Sequence, residues 1–463
     1  MTKKKIKIAF IGGGSTMWAP RLIRDIIFKP GLGETTLEFA LLDIDLERAL
    51  AVESLFDVKL REWQVDRVTV SSTLDPTEAL SDADFVLITI AAGRLEAMRH
   101  DLEIPERYGI FHTVGDTCGP GGWSRALRNI PVFKEYAQQI KRLAPRAFVL
   151  NYSNPMGALT KVLADELGND RVVGLCHALF ECYDALIRIF GLDGEQDIEF
   201  RFGGLNHFFW IPSFKVKGAD GYKLLREKLR EFTLEELLAL ADNDPMGFRS
   251  HGQLTSELLS VYGYLPYIGD RHTCEFFDRY ITDEATMQRL HLERTTIADR
   301  EKMYADADTS IRAWIEGRNG IKGPIDMTRL DRTPSRESAA DIIKAVASRE
   351  CYVDVVNLVN EGQIENLPMG AVVETFGRVD SSGIHPLALG PLPEELVPLL
   401  KRHADVQVQT ARAGVLGDTE AAITALAQDP VCSKLHPSDV RRMGEELLKA
   451  NESSVRSDRR LSE

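Results

Sequence analysis

At 463 residues, with 44% hydrophobic and 27% charged side chains, the chain is too long for one ordinary core and too apolar for disorder, so two domains or one large enzyme fold are expected. A formal net charge of -14 excludes nucleic acid and anionic membranes as default partners, because the long-range field repels phosphates. Six cysteines without a CxxC pair are no disulfide framework, and neither a signal-peptide pattern nor an apolar run of about 18 residues occurs, so a cytoplasmic protein is expected.

Ile6-Lys-Ile-Ala-Phe-Ile11 reads as a buried strand, followed at once by Gly12, Gly13, Gly14 and Ser15 and by a helix-like stretch from Pro20. Strand, glycine turn and helix in that order aim backbone N–H groups and a helix N-terminus at a diphosphate, although Met17 replaces the third glycine of GxGxxG. A second strand, Leu37 to Asp43, ends in an acid placed to hold ribose hydroxyls. It arrives about 30 residues after the first glycine where about 20 is usual, which implies an insertion in the first crossover. The bland reading is that Asp43 and Asp45 cap the helix from Leu46. Val68-Thr-Val-Ser and Ala83 to Gly93 continue the alternation of strands and helices. Residues 1–200 therefore read as a Rossmann-like, doubly wound parallel sheet.

Val114 to Trp123, rich in glycine and proline, reads as a loop over the sheet's carboxyl edge, with a helix from Ser124 to about Leu143. The strand Ala147-Phe-Val-Leu-Asn151 leads into Asn151-Tyr-Ser-Asn154-Pro155, whose amides suit sugar or ribose hydroxyls, or serve only the turn. Arg171 to His177 is a β-branched run that carries Cys176 and His177, a thiol and an imidazole of the kind that bind borderline divalent metals. In the strand-like run Phe200 to Ile211, His207 sits among aromatics and needs a partner, for which a metal is suited. From there to residue 450 a second α+β, mainly helical domain is expected, with helices over Glu227–Leu240, Gln253–Val261 and Ala285–Ala305. Tyr262 and Tyr264 precede a polar cluster of Asp270, Arg271 and His272. Residues 451–463 are too polar to pack and are expected to fray.

In combination, Gly12-Gly-Gly-Ser15, Gly119-Pro-Gly-Gly122, Asn151-x-x-Asn154-Pro155, Gly174-Leu-Cys-His177, Asn206-His207 and Asn360-x-Gly-x-Ile-x-Asn-Leu-Pro368 resemble glycoside hydrolase family 4, the NAD- and manganese-dependent glycosidases. The resemblance implies a Rossmann domain joined to a catalytic domain, a small-molecule sugar substrate, NAD with Mn2+ or another divalent ion, and a homodimer or homotetramer. It implies Cys176 and His207 as metal ligands, Asn154 as a substrate contact, and Gly12 to Ser15, Asp43 and Asn151 as the dinucleotide site. Asp270 matches the base of the α-glucosidase-like branch, with Tyr262 or Tyr264 in reserve; His177, Asp116 or a metal-bound water would be the acid. The implied reaction is redox-elimination-addition, with transient oxidation at C3 of the sugar by NAD. The most similar group is the α-galacturonidases, where Arg94, Arg99, Arg271 and His272 offer cations for a C6 carboxylate unless they are surface ion pairs. An α-glucuronidase, α-galactosidase or α-glucosidase of the same family is the alternative, and a conventional NAD-dependent dehydrogenase is the reading from another class.

Overall fold

The computed structural model describes residues 4–239, 251–318 and 330–461, with side chains to 452. Six strands of the first half are β1 (Lys5–Ile11), β2 (Thr36–Leu42), β3 (Val68–Thr73), β4 (Phe85–Ile88), β5 (Phe148–Asn151) and β6 (Val172–Gly174). They pair in parallel in the order 3-2-1-4-5-6 of the classical dinucleotide fold, with the chain reversing direction across the sheet between β1 and β4. β4 and β5 are buried at every position, because helices cover both faces of a parallel sheet. Two separate apolar clusters, one holding Phe10, Leu41 and Leu87 and the other Ile11, Val86 and Val149, mark those two faces.

The second half contributes β7 (Ile198–Leu205), β8 (Phe208–Val216), β9 (Ala219–Asp220), β10 (Leu265–Pro266), β11 (Tyr352–Val359), β12 (Val372–Asp380) and β13 (Gly383–Pro386). These strands are antiparallel, and β11 pairs with β6 through Asn357 and Gly174, so one sheet of 13 strands runs through both halves of the chain. β12 lies beside β11 and β7, which brings the β7–β8 hairpin next to the carboxyl end of the parallel strands.

Several elements differ from expectation. Gly119 to Trp123 is the first turn of the helix Gly119–Leu143, not part of the preceding loop. Its glycines are there for close approach: a Cβ on Gly122 would lie 2.5 Å from the Thr117 backbone, and Pro120 is tolerated in a first turn that has no amide partner. The stretch expected as one helix over 227–240 is two, Gly221–Lys228 and Leu234–Ala239, with Leu240 outside the described residues. Likewise 285–305 divides into Glu284–Arg289 and Ile297–Ile315, because Asp283 caps the first and a Thr296–Asp299 capping box starts the second. The terminal helix runs from Pro437 to Leu461 where fraying is expected from residue 451. Asn451 is buried and donates through Nδ2 to Ser124 O at 3.0 Å, which anchors that helix beyond residue 450. No helix among the described residues is long and apolar enough to cross a membrane.

Candidate active site

The glycine turn after β1 opens onto a cavity of about 1300 Å³, larger than the few hundred to about 1000 Å³ of a typical single-ligand pocket. Gly12, Gly14, Ser15 and Asp43 line it. Gly12 has φ +91°, and a Cβ there would meet Thr89 O and Ile90 Cγ2 at 2.8 Å, so only glycine fits between β1 and β4. Asp43 accepts hydrogen bonds from Gly14 N (2.8 Å) and Asp45 N (3.0 Å), and burial raises its pKa despite them. Asp45 is the helix cap, accepting from Arg48 N at 3.2 Å, so the capping role falls on Asp45 and Asp43 holds the turn.

Two residues expected at the cofactor do not line the cavity. Gly13 faces β2, where a Cβ would lie 2.6 Å from Leu41 Cβ, and is needed for packing. Asn151 is fully buried and its amide is used locally: it accepts from Ser153 N at 2.9 Å and donates to Thr160 Oγ1 at 3.0 Å. That turn instead presents Ser153 and Asn154 to the cavity.

At the other end of the cavity, the carboxylate of Asp116 and the imidazoles of His207 and His272 place their ligating atoms within 4.8 Å of one another. His207 lies in the two-residue turn between β7 and β8 at φ 61°, a left-handed conformation that non-glycine residues adopt rarely and mostly at functional turns. Thr117 Oγ1 donates to Asp116 Oδ1 (2.8 Å) and lies 3.0 Å from His207 Nδ1. With its only proton on the carboxylate, the hydroxyl accepts from Nδ1–H, which leaves His207 Nε2 with a free lone pair. The His272 ring is 4.0 Å from that of His207 between centroids, and its Nδ1 is buried without a hydrogen-bond partner.

Burial pushes the His207 pKa down to about 4, and burial together with His207 pushes His272 well down, so both rings are neutral at physiological pH. Burial tends to raise Asp116, but the guanidinium of Arg125, with that of Arg300 behind it, holds its pKa well below the usual carboxylate range, and the two imidazoles add to this only when protonated. Two neutral imidazoles and an ionised carboxylate suit a borderline divalent ion, so these residues fit the metal the resemblance implies. The structure thus moves His272 from the expected substrate contacts into the ligand cluster. Cys176 is not one of the three. The residue is half-buried, with its sulfur against the Asn206 amide and Ala178 N–H, and desolvation followed by Glu374 pushes the thiol pKa well up.

Other candidates separate in the same way. His177, 39% exposed in its side chain, lies with Nε2 3.9 Å from Glu181 and Nδ1 3.7 Å from Glu337 at the cavity wall. Asp270 also lines the cavity, but its carboxylate accepts from Thr255 Oγ1 (2.6 Å), Thr255 N (3.0 Å) and Leu254 N (3.2 Å) at the start of the helix Gln253–Tyr262. Burial raises its pKa to about 6 against those bonds. Tyr262 is not in the wall: its ring packs edge-on against Trp210, and the apolar core holds it there. Tyr264, held in reserve with it, is outside the wall too. The tyrosine of that segment that reaches the site is Tyr267, whose ring stacks toward His207 and whose hydroxyl donates to Glu181 at 2.8 Å. Periodicity does not separate these three tyrosines. Glu181 stands four residues after His177 on one helix face, a spacing that could have revealed it. Arg94 pairs with Asp45 at 3.3 Å, Arg99 with Glu103 and Glu301, and Arg271 is buried with Nε donating to Glu293 O at 3.2 Å. Arg125 and Arg300, which the sequence reading passed over, line the cavity beside Asp116.

A dinucleotide-type glycine turn and a carboxylate–imidazole cluster in one cavity define a two-ligand enzyme site. Residues 7–192 match the family 4 glycosyl hydrolases and residues 202–432 match the C-terminal domain of the same family. An α-galacturonidase of Thermoanaerobacter italicus is 32% identical over 453 residues, 96% of each chain. An α-galactosidase of Bacillus subtilis is 31% identical, covering 96% of this chain and 98% of its own. The crystal structure of lplD from Bacillus subtilis superposes with a TM-score of 0.84 at 30% identity, over 96% of this chain and all of that one. The chain belongs to glycosyl hydrolase family 4.

Proposed function

We propose that this family 4 hydrolase cleaves α-glycosides of galacturonic acid by transient oxidation of the sugar, using NAD and a divalent ion. The observation that carries the substrate is the α-galacturonidase relative, similar over nearly the whole of both chains. Bound, NAD supplies a hydride acceptor and the ion a Lewis acid, which together make the C2 proton of the sugar acidic.

The chain's own residues prepare that chemistry. The turn from Gly12 to Ser15 gives the diphosphate a close approach to the start of the helix Ala19–Ile27, and Asp43, which accepts from Gly14 N, keeps the turn in place. Asp116, His207 and His272 hold the ion; Cys176 is the further ligand the family resemblance implies. Asn154 donates to Asp116 Oδ2 at 3.4 Å, and its own buried Oδ1, without a partner, accepts from a sugar hydroxyl. Asp270, with a pKa of about 6, is mostly ionised at neutral pH and takes the C2 proton. His177, close to Glu181 and Glu337, gives a proton to the leaving oxygen. Asp116, expected as a rival acid, is held ionised and has no proton to give.

The α-galactosidase relative supports a second reading, in which the sugar is neutral. Comparing α-galacturonide, α-galactoside and α-glucoside of one chromogenic alcohol, with NAD+ and Mn2+ present, decides between them. Galacturonide is expected to be turned over fastest, without stoichiometric NADH; galactoside as the best substrate would replace the reading, and stoichiometric NADH would make the protein a dehydrogenase.

A further inference from the structure

Of the arginines in the cavity wall, Arg188 belongs to the last turn of the helix Ala178–Phe190 and has a partner, Arg48 is held by both oxygens of Asp308 (3.1 and 3.2 Å), Arg94 by Asp45, and Arg271 by Glu293 O and the Thr295 hydroxyl. Arg125 and Arg300 are different. Neither has an ion pair with a carboxylate among the described residues. Arg300 makes one hydrogen bond with its five N–H groups, Nη2 to Val114 O at 2.9 Å, and its Nε is buried with no partner. Arg125 donates from Nε to Asn154 O at 3.0 Å and otherwise meets only Met98 Sδ at 3.7 Å, a weak acceptor. Two guanidiniums thus face the cavity beside a single carboxylate, Asp116. Both side chains are half-buried and line the cavity, and the buried Nε of Arg300 is the donor most in need of an acceptor; a planar carboxylate matches the fork that each guanidinium presents.

Resting on the uronide reading above, we propose that Arg125 and Arg300, in place of Arg94 and Arg271, are the receptor for the carboxylate of the sugar substrate. The arrangement also sets where that carboxylate lies. Arg125 is tied to the backbone of Asn154, the residue assigned to the sugar hydroxyls, so anion and hydroxyl are read from one rigid point. Arg300 enters from the helix Ile297–Ile315 on the opposite side of the chain's sequence, and its Val114 bond fixes it beside the loop that carries Asp116. A neutral hexose would leave both guanidiniums without their acceptor, which is a source of selectivity larger than any gained from an apolar contact.

The test uses holoenzyme loaded with NAD+ and Mn2+, titrated calorimetrically with D-galacturonate, D-galactose and D-galactose 6-phosphate. Wild type should prefer galacturonate, and Arg300→Met and Arg125→Met should each lower the galacturonate-to-galactose affinity ratio by about tenfold or more, as loss of one charge-assisted hydrogen bond would. Arg300→Lys, which keeps the charge and loses the fork, should fall between. Equal losses for both sugars would reduce the arginines to counter-charges for Asp116 and overturn the proposal, as would tightest binding of the 6-phosphate. A wild type that prefers galacturonate, with its ratio unmoved in both methionine variants, sinks this assignment alone; a wild type that prefers galactose sinks the uronide reading itself.

Discussion

The two ends of the cavity are built by different means. At the dinucleotide end, the turn joins neighbours in sequence: Gly12, Gly14 and Ser15 follow β1 directly, and the acid that steadies them closes the adjacent β2. At the cluster end, the ties that bring its segments together are long. Thr117 reaches His207 across 90 positions, and Glu275 accepts from Val114 N and Gly115 N across 161 and 160. Glu275 also takes His112 Nδ1 at 3.0 Å in a fully buried pair, so the loop that carries Asp116 is pinned from a segment beyond residue 270. A site closed by local turns survives rearrangement elsewhere; one closed by distant loops depends on the whole fold.

That contrast can be broken most sharply at His207. His207→Ala should abolish measurable turnover and weaken Mn2+ binding by more than the roughly 10–100-fold lost with outer-shell partners, while NAD affinity stays within about threefold. Metal titration and NAD titration of the same variant check it, and parallel loss of both ligands would mean that the two ends are coupled. Next in size, His272→Gln and Cys176→Ser separate the geometry from the family expectation. If Asp116, His207 and His272 hold the ion, His272→Gln costs about tenfold or more in Mn2+ affinity. A greater loss in Cys176→Ser would show the sulfur swinging in as the ion binds, which needs a thiolate that burial and Glu374 now oppose.

The pH profile comes third. Asp270 must be ionised to act as a base, so kcat/KM should fall as pH drops through about 6, by about tenfold at one unit lower. A flat profile between pH 5 and 7 would remove Asp270 from the role. The smallest effect is expected at the dinucleotide end. Gly12→Ala forces a Cβ within 2.8 Å of Thr89 O at φ +91°, and should cost about 1–3 kcal/mol of stability and weaken NAD while leaving Mn2+ affinity in place.

How much could be read in advance follows the same division. The strand–glycine–helix start, the acid after β2 and the alternation of the first half are local patterns, and the parallel order 3-2-1-4-5-6 follows from them. Within them, a motif names positions without saying which way each one faces: Gly13 packs on Leu41 and Asn151 closes its own turn, and neither lines the cavity. In the second half, His207 was legible as a histidine in need of a partner. Its partners were not: Asp116 lies in a glycine loop and His272 among polar neighbours, and neither has a spacing that points to the other. Tyr262 and Tyr264 are the reserves the sequence offers, and that Tyr267 is the ring at the site depends on packing such as that of Tyr262 against Trp210.

Taken alone, the amino-acid order determined the dinucleotide half, the family and the residue types that the chemistry requires, because hydrophobic period, glycine turns and strand-end acids act over a few residues. Tertiary structure alone decided which imidazoles meet Asp116, that Cys176 stands outside them, and which arginines are left without a carboxylate. Those outcomes depend on burial and on contacts across a hundred or more positions, where the field at one side chain is set by groups that sequence spacing does not bring together.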